Sequence, residues 1–517
     1  MIYEKNVIQK NLKGVDLRFG LCYPNVYRTA MSSLGYELLY NLINEDSGTF
    51  CERIIYPSTK SIETNSPMRD FNILSFSLQY EQDYFNVVKM LNDSGIPIKR
   101  EDRDENDPLI IAGGPCATAN PAPLAEFIDI FVIGEGEVVM GSLMDCYREN
   151  AKSMEDYCNI KGLYVSKFDN PTKIVKVPDM DKAYHITEPL ISETENDEEK
   201  IVFDNSIMLN VSRGCTRGCR FCMSSYLYRP MRETSLSKLI ETAKTARENS
   251  GLDKIVLIGA AVSDYSNINE LISGLENEGF QISTPSLRLE SITKEYLMTL
   301  KKSGLKTITI APESIARLRK KINKEIDDEV ILNVVKDAFD LGFNLKLYFL
   351  VGIPTETMDD MEKLVEFMKK IASYKKDNEI RFSVNPLVPK PHTPLQWETY
   401  DLKDIKRKMR YLKKEMRNYN IKLESPKNGM IQYILSCGNR GVSSIIEKSL
   451  TKKITLNEWK DHLPDYNLDS KLPWDNIDVG ISRKYLKREF EKIEESENTP
   501  WCEVENCSGC GACSKNK

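Results

Sequence analysis

Histidine is scarce in this chain: His185, His392 and His462 are the only three in 517 residues. None falls within the first 150 residues, so a group bound there cannot take an imidazole ligand from that region. Long apolar runs are missing as well. No stretch approaches the roughly 18 residues that cross a bilayer, and the opening residues, MIYEKN, lack a signal peptide's apolar core. The expectation is a cytoplasmic protein with no membrane partner. Nor does one charge dominate: the formal net charge is −6 and the pI about 5.6, which gives no global attraction to nucleic acid. A disulfide framework is not indicated either, because the thirteen cysteines form two tight clusters with the rest scattered, a pattern of metal chemistry in a reducing compartment.

The first cluster organises the chain. In Arg213-Gly214-Cys215-Thr216-Arg217-Gly218-Cys219-Arg220-Phe221-Cys222, three thiols are spaced C-x3-C-x2-C behind a short apolar run, 207–211, that reads as a buried strand. Three thiolates close three corners of a four-iron cubane and leave the fourth iron open to a chelating molecule, whereas electron-transfer clusters are usually closed by four cysteines. Gly214 and Gly218 let the backbone wrap tightly, and Phe221 supplies an apolar cover. The alternatives are a chance grouping of thiols or a structural zinc site, which needs a fourth ligand; the nearest histidine, His185, lies well upstream. With an aromatic residue immediately before its last cysteine, the motif resembles the signature of the radical SAM superfamily. That resemblance implies a [4Fe-4S] cluster on Cys215, Cys219 and Cys222, with S-adenosylmethionine (SAM) on the open iron. It also implies reductive formation of a 5′-deoxyadenosyl radical, with a reductant such as ferredoxin or flavodoxin as partner.

Residues 206–400 read as six strand–helix units, with strands at 207–211, 254–258, 281–287, 307–310, 345–351 and 380–386. One helix, 357–370, shows its buried stripe as Met358, Met361, Leu364, Val365 and Met368. Six units are too few for a closed eight-stranded barrel. The expected architecture is an open, partial (β/α)6 barrel with its active site at the strands' carboxyl ends, which is also what the resemblance implies. Gly259 and Ala260 stand there, where many radical SAM enzymes have a G-G-E-like turn, here without its acid. Arg288 and Glu290 can reach a carboxylate or pair with each other, and Glu313 and Ser314 are set to contact SAM, unless Glu313 caps the following helix. Gly352 follows the fifth strand.

In residues 1–150, strand-like runs at 17–22, 73–78, 109–112 and 130–133 alternate with helical patterns at 29–42, 84–91 and 138–147. This alternation predicts a doubly wound, flavodoxin-like parallel sheet. Ligands of such sheets sit beyond the strands' carboxyl ends, here Ala112-Gly113-Gly114-Pro115 and Ile133-Gly134-Glu135-Gly136-Glu137. Both loops resemble those of cobalamin-binding domains that precede many radical SAM domains, which makes Gly113, Gly114, Gly134 and Gly136 candidate cofactor contacts. A D-x-H-x-x-G motif is missing, so a bound cobalamin would have no histidine ligand, and Cys116 reads as a packed thiol. The alternative is a scaffold or substrate platform that binds no cobalamin. Residues 151–205, with an acidic run at 192–200, read as a linker.

Residues 401–517 are expected to form a small α-rich region that opens with basic amphipathic helices, including 403–417, whose faces are solvated surface or a groove for RNA or an acidic protein. The tail cysteines Cys502, Cys507, Cys510 and Cys513, spaced C-x4-C-x2-C-x2-C, can saturate a second iron–sulfur cluster or a zinc ion. His392, in a proline-rich turn, is either a substrate-side acid or base or a structural residue. Segments 346–357, 388–397 and 472–478 resemble a group of radical SAM proteins with a cobalamin-binding-like N-terminal domain. The expected activity is radical methylation of an unactivated carbon in an RNA, protein or small molecule, with cobalamin as methyl donor. A radical SAM enzyme without cobalamin, catalysing methylthiolation or rearrangement, and a non-catalytic iron–sulfur protein are the alternatives.

Overall fold

Near-continuous apolar runs, rather than alternating ones, mark strands buried on both faces, and they build the first sheet. In the computed structural model, which describes residues 3–150, 153–194, 196, 199–284, 288–302, 304–502 and 507–513, this sheet has six strands. They are β1 (Leu17–Tyr23), β2 (Thr49–Ile55), β3 (Ile73–Ser77), β4 (Leu109–Gly113), β5 (Ile130–Val132) and β6 (Leu163–Val165). Their order is β2-β1-β3-β4-β5-β6, parallel throughout except for antiparallel β6. This is the flavodoxin-like order, in which the chain reverses direction across the sheet between β1 and β3 and opens a crevice at their carboxyl ends.

Strand β2 escapes the sequence pattern because Glu52 and Arg53 interrupt it. Both side chains are nevertheless buried, Arg53 against Glu4 at 2.5 Å and Glu63 at 2.7 Å, and Glu52 against Arg18 at 2.6 Å. The helix expected over 29–42 is broken in two, Tyr27–Ala30 and α1 (Leu34–Glu45). The stretch 151–205, expected as a linker, carries β6 and two further short strands: Thr172–Lys173 pairs with Ile477–Asp478, and Ile191–Ser192 with Glu4–Lys5. Two- and three-residue strands need too few apolar residues to leave a sequence pattern. Positions 195, 197 and 198 of the acidic run lie outside the described residues.

Two parallel sheets make the barrel. The first runs β7 (Ile207–Asn210), β8 (Lys254–Ile258), β9 (Gln281–Ser283); the second runs β10 (Thr307–Glu313), β11 (Asn344–Val351), β12 (Ile380–Pro386), β13 (Ile421–Leu423). Strand β13 extends the six expected units, and positions 285–287 of the expected third strand lie outside the described residues. A capping box of Thr357 and Asp360 starts α2 (Met358–Ser373), which buries Met361, Leu364, Val365 and Met368 as its spacing predicts. The remaining chain contributes α3 (Leu402–Glu415), α4 (Pro426–Cys437) and α5 (Arg483–Glu495). Among the described residues no helix is long and apolar enough to cross a membrane.

Candidate active site

The cysteine loop leaves β7 through a two-residue ladder, Ser212–Arg213 against Arg232–Glu233. Gly214 then takes a φ of +87°, and a Cβ there would run into the carbonyl oxygen of Tyr228, so this turn requires glycine. Cys215 and Cys219 are buried and Cys222 is half-buried. Burial raises the Cys215 thiol and pushes Cys219 up to about 12, while Arg288 acts on both in the opposite sense and Lys324 does so on Cys219. Such thiols ionise only when a metal supplies positive charge, and a cluster does. Among the described residues no three His, Cys, Asp or Glu side chains are gathered as a single ion requires. Three thiols on one short loop, two of them buried and the third half-buried, match in number the three closed corners of a cubane.

Around the loop, arginines and an amide hold backbone carbonyls. Arg229 donates to the Arg217 carbonyl at 2.7 Å and Asn323 to that of Gly218 at 3.2 Å. The fully buried Arg220 pairs with Glu489 of α5 at 3.1 Å. Arg217 forms a two-pronged pair with Asp264, 3.0 Å for each bond.

At the strand ends the structure separates the expected contacts. Ser314 is fully buried and, among the described residues, its hydroxyl has no hydrogen-bond partner; the hydroxyls of Ser212 and Ser263 and the Nε of Arg288 are buried and unpartnered in the same way. Buried polar groups are nearly always satisfied, so this set at the carboxyl ends of β7 to β10 fits a polar ligand such as SAM. Glu313, with a φ of +62°, is engaged by Lys324 at 2.7 Å, and it caps nothing: the following helix starts after Ile315 without a side-chain cap. Arg288 pairs with Glu290 at 2.8 Å and faces Asp264 at 3.7 Å. Gly352 spends its N–H on Glu356, which Lys408 holds at 3.1 Å, so its backbone is occupied within the protein. Sequence reasoning missed Lys324, Asp264 and Asn323, because nothing in their local sequence says they return to the loop. Ser212 could have been found from its place directly after β7 and Val211.

Gly259 and Ala260 line a cavity of about 400 Å³ between the barrel and the first sheet. Its other wall is the carboxyl edge of β1, β3, β4 and β5, including Ser77, Gly113, Gly114, Gly134 and Gly136, and the exposed lining is mostly apolar. The glycines themselves answer to packing. A Cβ on Gly114, with a φ of +103°, would meet the Leu78 carbonyl, and one on Gly134, at +115°, would meet the Val175 backbone. A Cβ on Gly136 would press on Leu39. The acids of this loop dock the barrel: Glu137 holds Arg213 at 3.0 Å, and Glu135 holds Arg232 at 2.7 Å and Arg213 at 3.2 Å. Burial alone would raise the Glu135 carboxyl, yet Arg232 and Arg213 hold it below the usual carboxylate range. Cys116 is a buried, packed thiol, as expected.

His392 is buried too, and its Nε2 meets the Ala119 carbonyl at 3.0 Å; burial pushes its pKa down to about 4. It is a neutral clamp between the first sheet's loops and the turn that follows β12, and the substrate-side acid or base role falls away. The tail arrives where no local pattern announces it. The Cys502 amide donates to the Thr216 carbonyl at 2.7 Å, and the Arg217 guanidinium stacks on the Trp501 ring. Cys510 is buried, its carbonyl accepting from the Ser482 amide at 2.8 Å, while Cys507 and Cys513 are exposed. The structure thus brings the start of the tail motif, at Trp501 and Cys502, against the cysteine loop.

Residues 209–368 match the radical SAM superfamily, and residues 35–165 match the family described as radical SAM proteins, N-terminal. An uncharacterised protein of Methanocaldococcus jannaschii is 33% identical over 467 residues, 88% of this chain and 98% of that one. An uncharacterised methyltransferase of Pyrococcus horikoshii is 25% identical over 273 residues, 51% of this chain and 58% of its own length. Among solved structures, the radical S-adenosylmethionine methyltransferase TsrM of Kitasatospora setae, with cobalamin and a [4Fe-4S] cluster bound, shares the fold. Its TM-score is 0.53 at 12% identity, over 74% of this chain and 78% of that one. The chain therefore belongs to the radical SAM superfamily, and the protein is a radical SAM enzyme.

Proposed function

We propose that the protein methylates an unactivated carbon, with a [4Fe-4S] cluster on Cys215, Cys219 and Cys222, SAM at the barrel's strand ends, and a corrinoid at the cavity between sheet and barrel. When bound, cluster and SAM supply a 5′-deoxyadenosyl radical and the corrinoid a transferable methyl group. The observation that carries the reading is the cavity itself. It lies at the ligand edge of a flavodoxin-like sheet and is closed on its other side by Ser212, Arg213 and Gly214, the residues that lead into the cysteine loop. Leu21, Leu38, Phe76, Val132 and Tyr228 in its wall would pack against the face of a flat ring held there. The bound cobalamin and [4Fe-4S] cluster of TsrM support it by fold likeness, and the Pyrococcus methyltransferase by sequence.

The chain's own residues do the positioning. Arg213 and Arg232, held by Glu135 and Glu137, fix the barrel mouth against the sheet edge and keep water from the shared space. Ser314, Ser212 and Arg288 offer polar atoms, unpartnered among the described residues, that orient SAM, and Arg217, between Asp264 and Trp501, steadies the loop. We read the four tail thiols as a second, closed iron–sulfur cluster that passes an electron from a reductant toward the loop. Zinc is the competing occupant, and iron analysis of the purified protein separates the two.

One observation favours a second reading, a radical SAM enzyme that uses the first sheet only as a platform: Gly114 and Gly134 are glycine because of Leu78 and Val175, not because of the cavity. Cobalamin titration of the anaerobically reconstituted protein decides between them. Stoichiometric binding with a shifted corrin spectrum supports methyl transfer. Absence of binding, with 5′-deoxyadenosine still formed on reduction with SAM, leaves the platform reading.

A further inference from the structure

Phe221 of the cysteine loop lines a second cavity, of about 510 Å³, inside the barrel. Its wall is made by alternate residues of β11 and β12, Lys346, Tyr348 and Leu350 on one and Arg381, Ser383 and Asn385 on the other. The intervening residues of β11, from Leu345 to Val351, are buried in the hydrophobic core, so this alternation puts both cations on the cavity face, where Lys346 is half-buried and Arg381 stands exposed at the solvent-open end. Lys346 and Arg381 are register partners on adjacent strands, and their side chains stand next to each other on one face. Like charges opposed across a ladder repel, and proteins ordinarily avoid or neutralise them. Here the other two lysines of the cavity are neutralised, Lys390 by Glu81 and Lys422 by Glu424 at 2.6 Å. Among the described residues neither Lys346 nor Arg381 has a carboxylate partner; Lys346 only approaches the Tyr348 ring, at 4.8 Å.

The pair forms a cationic mouth to a chamber that reaches the cluster loop at Phe221, and arginine's planar fork beside a lysine point charge matches a phosphate dianion. We propose that the substrate carries a phosphate group held by Lys346 and Arg381, its remaining part lying along Tyr348 and Phe221 toward Cys222. This rests on the barrel interior being the reaction chamber, and not on the corrinoid.

The test is calorimetric titration of inorganic phosphate, and separately of acetate, into full-length protein reconstituted anaerobically, with SAM affinity measured in parallel. Phosphate is expected to bind more tightly than acetate. Lys346→Gln and Arg381→Gln are each expected to weaken it about tenfold or more, the loss of one charged hydrogen bond, while Arg381→Lys, which keeps the charge, recovers part of the affinity. SAM affinity should hold in all variants, which also shows that they fold. The proposal is overturned if phosphate does not bind, if acetate binds as tightly, if the double variant binds phosphate like the parent, or if SAM affinity falls in step with phosphate. None of these readouts depends on cobalamin or on radical formation.

Discussion

Ser314 carries a hydroxyl that folding buries completely and leaves without a hydrogen-bond partner among the described residues. An unsatisfied buried hydroxyl costs stability, about 1–3 kcal/mol, which a ligand that accepts or donates the bond returns. Ser314→Ala is therefore expected to leave the SAM-free protein as stable as the parent, or more so by about 1 kcal/mol, and to weaken SAM binding several-fold. Thermal unfolding without SAM and equilibrium binding of SAM check the two halves separately. His392 gives the pH dependence. Its neutral ring is held against Ala119 with a pKa near 4, below its ordinary 6.5, so the unfolded chain takes up a proton that the folded protein refuses as the pH falls. The contribution is full above pH 6.5 and is lost between 6.5 and about 4, to a total of about 3 kcal/mol. His392→Gln, which keeps a donor but does not titrate, should flatten that acid limb. Denaturant melts of parent and variant across this window are the measurement, and parallel curves would remove His392 as the cause.

At the scale of elements, the strands that sequence shows are those whose apolar residues are contiguous. The run at 17–22 is β1, 254–258 is β8 and 380–386 is β12. What hides an element is charge satisfied at long range: Arg53 in β2 finds Glu4 and Glu63 in other segments, and neither partner can be inferred from the strand's own seven residues. The cysteine loop shows the same division. Its thiol spacing and its glycines are legible, since one follows from cluster chemistry and the other from a φ of +87° at Gly214. The hold that α5 keeps on it through Glu489 and Arg220 is not, because the partners lie far apart in sequence. Removing one member of a buried pair strands the other charge, so Glu489→Leu is expected to cost about 3–5 kcal/mol. Combining it with Arg220→Met should recover much of that loss. Urea unfolding of the two single variants and the double variant is the check, and additive losses would show that the two residues do not act as a pair.

Across the whole molecule, two cavities flank one loop. The space between sheet and barrel touches Gly214 and Tyr228, the barrel interior touches Phe221, and the backbone of the tail's Cys502 reaches Thr216. If the tail thiols hold a separate closed cluster, replacing Cys502, Cys507, Cys510 and Cys513 with alanine should lower bound iron by about four atoms per chain while the loop cluster persists. Iron quantitation after reconstitution reads this, and a loss of about one zinc instead assigns the tail to zinc. The arrangement as a whole depends on an iron at Cys215, Cys219 and Cys222 that no protein side chain fills. Electron paramagnetic resonance of that tail-alanine protein, reduced directly with dithionite so that no relay is needed, with and without SAM, tests it most directly. The expected result is a [4Fe-4S] signal that changes when SAM is added, accompanied by 5′-deoxyadenosine on turnover, both abolished by Cys219→Ala. A signal indifferent to SAM, with no 5′-deoxyadenosine formed, would contradict it.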